Sequence, residues 1–210
     1  MWISSSRPSE RQPAVIRNLL IWGTVAIVLI WPMAVAATSP LLAWRDSIYI
    51  AAGLSGVFGL ALMTVQPLLA RGVLPGLDGL HGRRWHRWGG ALLLLTVALH
   101  IGGLWLTSPP DVIDALTLRS PTPFSVWGVI ALWALGLAGT GALVRDRMPP
   151  RVWRRVHLAA TTVAVTTTVI HAMLIVGTMG TWSKVALSGA ALLALGHALY
   201  HSRIGWRRGR

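Results

Sequence analysis

The chain has 210 residues, of which 54% are hydrophobic and 12% are charged, and its mean hydropathy is +0.60. This composition excludes an ordinary soluble globular protein, because too few polar side chains are available to cover its surface. The absence of cysteine excludes disulfides, thiolate ligands and iron–sulfur clusters. The net charge of +13 does not indicate nucleic-acid binding, because the basic residues follow a membrane topology instead of forming a stripe.

Six apolar segments are long enough to span a bilayer. They cover residues 18–37, 48–70, 87–106, 124–143, 157–177 and 183–200. The connections between them are short and rich in Pro and Gly, which predicts antiparallel neighbours in one compact bundle. We therefore predict an all-α integral membrane protein with a six-helix domain over 18–200 and tails at 1–17 and 201–210. The first segment also has features of a cleavable signal peptide, but its length favours a retained helix.

The basic residues predict how this bundle is oriented. With six spans, only Arg45, Arg119 and Lys184 of the 19 Lys and Arg residues fall on the side opposite to the termini. Because cytoplasmic loops carry the excess of positive charge, both termini and both tails are predicted to be cytoplasmic. The expected location is the cell inner membrane, where the protein crosses the lipid several times.

Four histidines form the main candidate site. His86 and His100 belong to the third span, and His157 and His171 have the same spacing in the fifth span. At about 100° and 1.5 Å per residue, the two histidines of one span share a helix face and lie roughly 21 Å apart. Since both spans run in the same direction, His86 should face His157 at the inner depth, and His100 should face His171 at the outer depth. Two imidazoles at each of two depths predict bis-histidine binding of two b-type haems and electron transfer across the membrane.

Several other residues are weaker candidates. Arg87 and Arg154 lie beside the inner histidines and could pair with haem carboxylates. His197 and His201 share a helix face near the end of the last span and could bind a metal, a quinone or a carboxylate, although such a pair at a basic helix end is more often interfacial. His81, which we place in the loop before the third span, is a weak alternative ligand to His86. Hydrogen bonds between helices are the alternative explanation for the histidines in general.

The stretch Arg84-Trp85-His86-Arg87-Trp88-Gly89 and the stretch Trp153-Arg154-Arg155-Val156-His157 each open a span that carries a second histidine. This pattern resembles the ferric reductase-like transmembrane domain over roughly residues 45–200. That family includes eukaryotic ferric reductases, NADPH oxidases and the haem-binding membrane subunit of a bacterial periplasmic methionine sulfoxide reductase system. The resemblance implies b-type haems between the third and fifth spans, with the four histidines as axial ligands, and electron flow from the cytoplasm outwards.

The sequence departs from the larger family members because no Gly-rich dinucleotide fingerprint follows a strand, as a C-terminal flavin and NADPH domain would require. We therefore expect electrons to come from a separate flavoprotein, a bound flavin or a quinol, and to pass to ferric iron or a periplasmic reductase. The protein would then be an electron-transfer component of a membrane oxidoreductase. The methionine sulfoxide reductase subunit is the nearest alternative in size and layout.

A haem-free transporter or assembly protein, with its histidines forming a proton path, is the rival from another class. Transporters are often built from internal repeats. Beyond the two histidine pairs, we find no convincing repeat between the halves of the sequence.

Overall fold

The computed structural model describes the backbone of residues 8–207 and the side chains of residues 13–202, and this part of the chain contains helices and turns but no strand. Seven α-helices follow in chain order. They are α1 (Pro8–Ala37), α2 (Ser47–Arg71), α3 (Gly79–Thr107), α4 (Pro109–Leu116), α5 (Ser125–Leu143), α6 (Pro150–Leu174) and α7 (Thr181–Arg207). All except α4 contain a segment long and apolar enough to cross a membrane. The predicted all-α bundle with six spans is therefore confirmed, and the chain is a multi-pass membrane protein.

Some helices extend beyond the apolar segments that predict them. Helix α3 begins at Gly79, so His81 is an exposed residue in its first turn. The prediction that His81 lies in a loop is wrong, because the helix continues through a polar, arginine-rich turn that hydropathy does not detect. Helices α1 and α7 likewise reach into the predicted tails, and residues 1–7 and 208–210 of those tails lie outside the described residues.

The short helix α4 was not predicted. It begins at Pro109, where a proline at the first helical position loses no hydrogen bond. The Ser108 hydroxyl donates to the carboxylate of Asp111 in the first turn. Val112 is buried, whereas Ile113 and Leu116 remain exposed. Helix α4 therefore packs an apolar side against the ends of α3 and α5, at the end of the bundle away from most arginines.

Two antiparallel units form the centre of the bundle. Helix α2 packs along α3 as the first unit, and α5 packs along α6 as the second unit. Helix α7 lies against α2 and α6, and α1 packs on the outside against α7 and α2. Leu60, Leu93, Leu135, Val165 and Leu187 are among the buried residues of the shared core. Because α3 and α6 have little backbone contact with each other, the two units leave a cleft between them.

Candidate functional site

His86 of α3 and His157 of α6 face each other across this cleft and are called the inner pair. Their ring centres are 6.3 Å apart, and their ring planes are inclined by 83°. A bond of about 2 Å from a metal to each imidazole nitrogen, plus about 1 Å to each ring centre, places two axial imidazoles roughly 6 Å apart. The structure thus brings these two predicted ligands together at a separation that accommodates one metal atom.

The two rings of the inner pair are supported differently. His86 Nδ1 lies 3.2 Å from the carbonyl oxygen of Gln66 in α2. A carbonyl only accepts, so Nδ1 must carry the proton and donate, which leaves the Nε2 lone pair free to bind a metal. His157 Nδ1 is buried without a hydrogen-bond partner, although the Ala138 carbonyl of α5 is nearby. The His157 ring instead packs against Trp153, with ring centres 4.6 Å apart.

His100 of α3 and His171 of α6 are called the outer pair. His100 Nδ1 donates to the Ala52 carbonyl over 2.8 Å, and His171 Nδ1 donates to the Phe124 carbonyl over 2.8 Å. Both Nε2 atoms are therefore free to act as ligands. Each ring of the outer pair is held by the preceding helix of its own unit.

Two glycines make room for the outer pair. A Cβ atom built on Gly56 would lie 2.9 Å from His100 Nδ1, and one built on Gly128 would lie 2.8 Å from His171 Nδ1. Both distances are too short for a side chain, so the glycines allow each imidazole to lie against the backbone of the neighbouring helix. Sequence analysis did not identify either residue as part of the site.

These contacts reveal an internal repeat. Ala52 and Gly56 of α2 contact His100, and Phe124 and Gly128, at and near the start of α5, make the same two contacts with His171 at a constant offset. The two outer histidines are therefore supported by equivalent contacts in the two units. Two short signals were present in the sequence, Gly-Val at 56–57 and 128–129 and Arg-Arg at 83–84 and 154–155. These signals are short, and the residues between them show no further similarity because apolar residues in a membrane helix replace one another freely.

A cavity of about 1880 Å³ adjoins the inner pair. Its wall includes the small residues Gly90, Ala91, Ala138, Gly139 and Ala142. A Cβ built on Gly90 would meet nothing within 4 Å, so this glycine faces open space. The volume exceeds the roughly 300–1,000 Å³ of ordinary small-molecule pockets. The cavity is therefore large enough for an extended, flat cofactor between the two units.

Arginines line the same cavity. Arg87 and Arg154, both predicted as candidates, line it with exposed side chains, and Arg154 Nε donates to the Pro150 carbonyl over 3.2 Å. Arg71, which sequence analysis did not single out, also lines it and donates to the Ala198 carbonyl of α7 over 2.7 Å. Asp146 is the acidic residue among those that line the cavity. The excess of guanidinium groups favours a bound group with negative charge.

The profile of one protein family, described as "Ferric reductase like transmembrane component", matches residues 55–169, which is more than half of the chain. The chain belongs to this ferric reductase-like family. The matched range includes His86, His100 and His157 and ends just before His171. No curated protein and no solved structure matches the chain. Membership of this family suggests transmembrane electron transfer.

Ferric reductase-like domains often bind haem, and the inner pair fits such a group. Within the described residues, no cluster of three or more His, Asp or Glu side chains could hold a bare metal ion. Haem iron requires only two protein ligands, because the porphyrin supplies the other four nitrogens. Two imidazoles with ring centres 6.3 Å apart, a cavity lined by small residues and nearby arginines match these requirements.

His197 and His201 are not part of either histidine pair. Their rings lie 4.4 Å apart on α7 and both residues are exposed. His201 lines the cavity of the inner pair, and its ring is 5.4 Å from that of Tyr200. The structure therefore places one of the two, His201, at the cavity of the inner pair.

Proposed function

We propose that the protein is a membrane b-type cytochrome with two haems, which relays electrons from the cytoplasmic side to the outer face. The observation that carries this proposal is the inner pair, whose ring centres are 6.3 Å apart beside a cavity of about 1880 Å³. His86 and His157 would hold the inner haem, and His100 and His171 would hold the outer haem. A haem-free transporter would need neither two adjacent imidazoles nor a large cavity lined by small residues.

The side chains of this protein bind and orient the two groups. The carbonyl groups that accept from Nδ1 of His86, His100 and His171 hold each ring in place and increase the basicity of its Nε2. Arg87 and Arg154 would pair with haem carboxylates at the arginine-rich end. The surrounding apolar side chains exclude water. When bound, haem supplies a carrier of single electrons.

The distribution of charge supports the orientation of the bundle, and the outward direction of transfer is what the family resemblance implies. The arginine-rich end carries Arg83, Arg84, Arg87, Arg154 and Arg155 and, by the positive-inside rule, would face the cytoplasm of the cell inner membrane. A flavoprotein, a bound flavin or a quinol would deliver electrons at this end. Ferric iron or a periplasmic reductase would receive them at the opposite end.

The test is the reduced-minus-oxidised absorbance spectrum of the detergent-purified full chain, with a pyridine haemochrome assay for haem per chain. We expect a b-type spectrum and two haems per chain. The matched control is a variant in which all four site histidines are replaced by Ala, and this control should bind no haem. A wild-type chain that contains no haem after expression with ample haem would contradict the proposal and favour a haem-free transporter. A single haem would contradict the two-site form.

A further inference from the structure

His197 and His201 form a histidine pair of another kind, because both belong to one helix. They are four residues apart in α7 and therefore lie on the same helix face. Their ring centres are 4.4 Å apart, and both residues are exposed. We call them the α7 pair. The proposed electron relay gives these two side chains no role.

The separation of the two rings fits the binding of one metal ion by both. With about 2 Å from metal to nitrogen and about 1 Å on to the ring centre, two imidazoles that meet at about 90–109° have ring centres about 4.2–4.9 Å apart. The observed 4.4 Å lies within this range. The 6.3 Å of the inner pair instead corresponds to ligands on opposite sides of a metal. The α7 pair thus has the spacing of two neighbouring ligands of one ion.

The α7 pair lies near the end of its span. The apolar segment of α7 covers Thr181–Ser202, so His201 is its second-last residue and His197 is about one turn earlier. At about 1.5 Å per residue, His201 is about 30 Å from Thr181, which is about the thickness of the hydrocarbon layer. His201 also lines the cavity of the inner pair. An ion bound here would therefore be close to water and beside that cavity.

The chemistry of the α7 pair selects the class of metal. Imidazole suits Zn²⁺, Cu²⁺ and Ni²⁺, whereas Mg²⁺ and Ca²⁺ require oxygen ligands. Two histidines at this spacing on a helix are the Zn²⁺ ligands of one class of metalloprotease. Arg71 lines the same cavity as His201, so a cation must be held by bonds to nitrogen and not by charge alone.

The protein would supply only two of the ligands. Within the described residues, no group of three or more His, Cys, Asp or Glu side chains could hold a metal ion. Water would fill the other positions of the ion, as it does at the open position of catalytic zinc sites. An ion held in this way exchanges with the solvent.

We propose that His197 and His201 together bind one divalent transition-metal ion of the class of Zn²⁺ and Cu²⁺. The site is exchangeable and lies beside the cavity of the inner pair. It is separate from both proposed haem sites and goes beyond the proposed function. Its existence does not depend on haem.

The test is a titration of the detergent-purified full chain, without a histidine tag, with Cu²⁺. This ion is the most sensitive probe because it binds nitrogen ligands most tightly among the divalent ions of its series. We expect one Cu²⁺ per chain, with electron paramagnetic resonance showing hyperfine coupling to two imidazole nitrogens. His197→Ala should weaken binding by at least about tenfold, a loss that is typical even for residues that only support a metal ligand. Titration with Zn²⁺ should show the same dependence on both histidines.

A double-mutant cycle distinguishes one shared ion from two independent histidines. If both rings bind the same ion, His197→Ala, His201→Ala and the double variant should lose affinity to a similar extent. His81→Ala removes an exposed histidine with no histidine four residues away, so this control should bind Cu²⁺ like the wild type. Equal affinity of the wild type and the double variant, or losses that add, would overturn the proposal and leave only a contact between rings. If an alanine variant fails to accumulate, His197→Gln or His201→Gln keeps a polar side chain and should show the same loss.

Haem content separates the failure of this inference from the failure of the proposed function. His197→Ala should keep the haem content of the wild type, because His197 does not line the cavity. A wild-type chain that binds Cu²⁺ through the α7 pair but contains no haem supports the metal site and contradicts the proposed function. A chain with two haems that binds no Cu²⁺ at the α7 pair overturns the metal site alone.

Discussion

The inner and outer histidine pairs come from the same helices but are supported in different ways. Both rings of the outer pair donate to backbone carbonyls over 2.8 Å, and each lies against a glycine. In the inner pair, His86 donates over 3.2 Å and His157 Nδ1 has no partner. The inner pair also lines the large cavity, whose wall includes Arg71, Arg87 and Arg154.

A repeated pattern of histidines in the sequence therefore does not guarantee two equal sites. Tight support by carbonyls and glycines restricts the orientation of the outer imidazoles. The inner imidazoles instead line a large cavity, whose wall also includes several arginines. We therefore expect the outer site to depend on helix packing and the inner site to depend on side-chain chemistry.

The largest effect is expected from removing one ligand of either pair. His100→Ala should lower the haem content from two to one per chain, because its partner His171 alone cannot complete bis-histidine ligation. His86→Ala should remove the other haem. In a redox titration, the wild type should show two one-electron transitions, and each variant should retain a different one of them. His81→Ala, which changes an exposed residue of α3, is the control and should retain both haems. Retention of both haems in His100→Ala would refute the proposed pairing.

The next largest effect is expected from replacing a glycine that contacts the outer pair. Gly128→Ala places a Cβ 2.8 Å from the His171 ring, so the ring must shift. We expect the outer haem to be lost about tenfold faster in transfer to apomyoglobin, with the inner haem unaffected. The control on the same helix is Gly136→Ala, where a Cβ meets nothing within 4 Å. Because Ala favours a helix over Gly by about 1 kcal/mol, the control should be at least as stable as wild type. Equal behaviour of both variants would show that Gly128 has no special role.

A smaller effect is expected from loosening His157. Its ring packs on Trp153 and has no hydrogen bond at Nδ1, so Trp153→Leu should let the imidazole rotate or leave the iron. We expect carbon monoxide to bind the reduced inner haem of this variant, as seen in its absorbance spectrum, while the wild type stays closed. Trp88→Leu changes an exposed tryptophan of α3 and should behave as wild type. No carbon monoxide binding in Trp153→Leu would mean that other contacts hold His157.

The smallest effect is expected from the exposed arginines at the cavity. Arg87→Gln or Arg154→Gln should accelerate release of the inner haem about twofold to fivefold, in line with the modest value of exposed ion pairs, roughly 0.2–1 kcal/mol. The increase should shrink at high salt, because screening weakens exposed pairs. Arg84→Gln is the control, since Arg84 does not line the cavity. An equal change in release of the outer haem would contradict the assignment of these arginines to the inner site.

Much of this architecture could be predicted from local sequence patterns. Long apolar segments predict the six spans, and equal spacing of His86 with His100 and of His157 with His171 predicts two depths. The helix extension that contains His81 and the short helix α4 could not be predicted in this way, because hydropathy detects lipid contact and not helical backbone in polar turns. Glycines such as Gly56 look like ordinary packing residues until the opposite helix is in place.

The membrane class and the number of spans follow from hydropathy along single segments, and the spacing of the histidines within each span follows from the helical period. The contacts of the folded chain, in contrast, show which carbonyl supports which ring, that His157 Nδ1 lacks a partner, and that Arg71 lines the cavity of the inner pair. These features depend on the distance between helices that are far apart in the chain. That distance is controlled by glycine contacts and crossing geometry, which no single segment specifies.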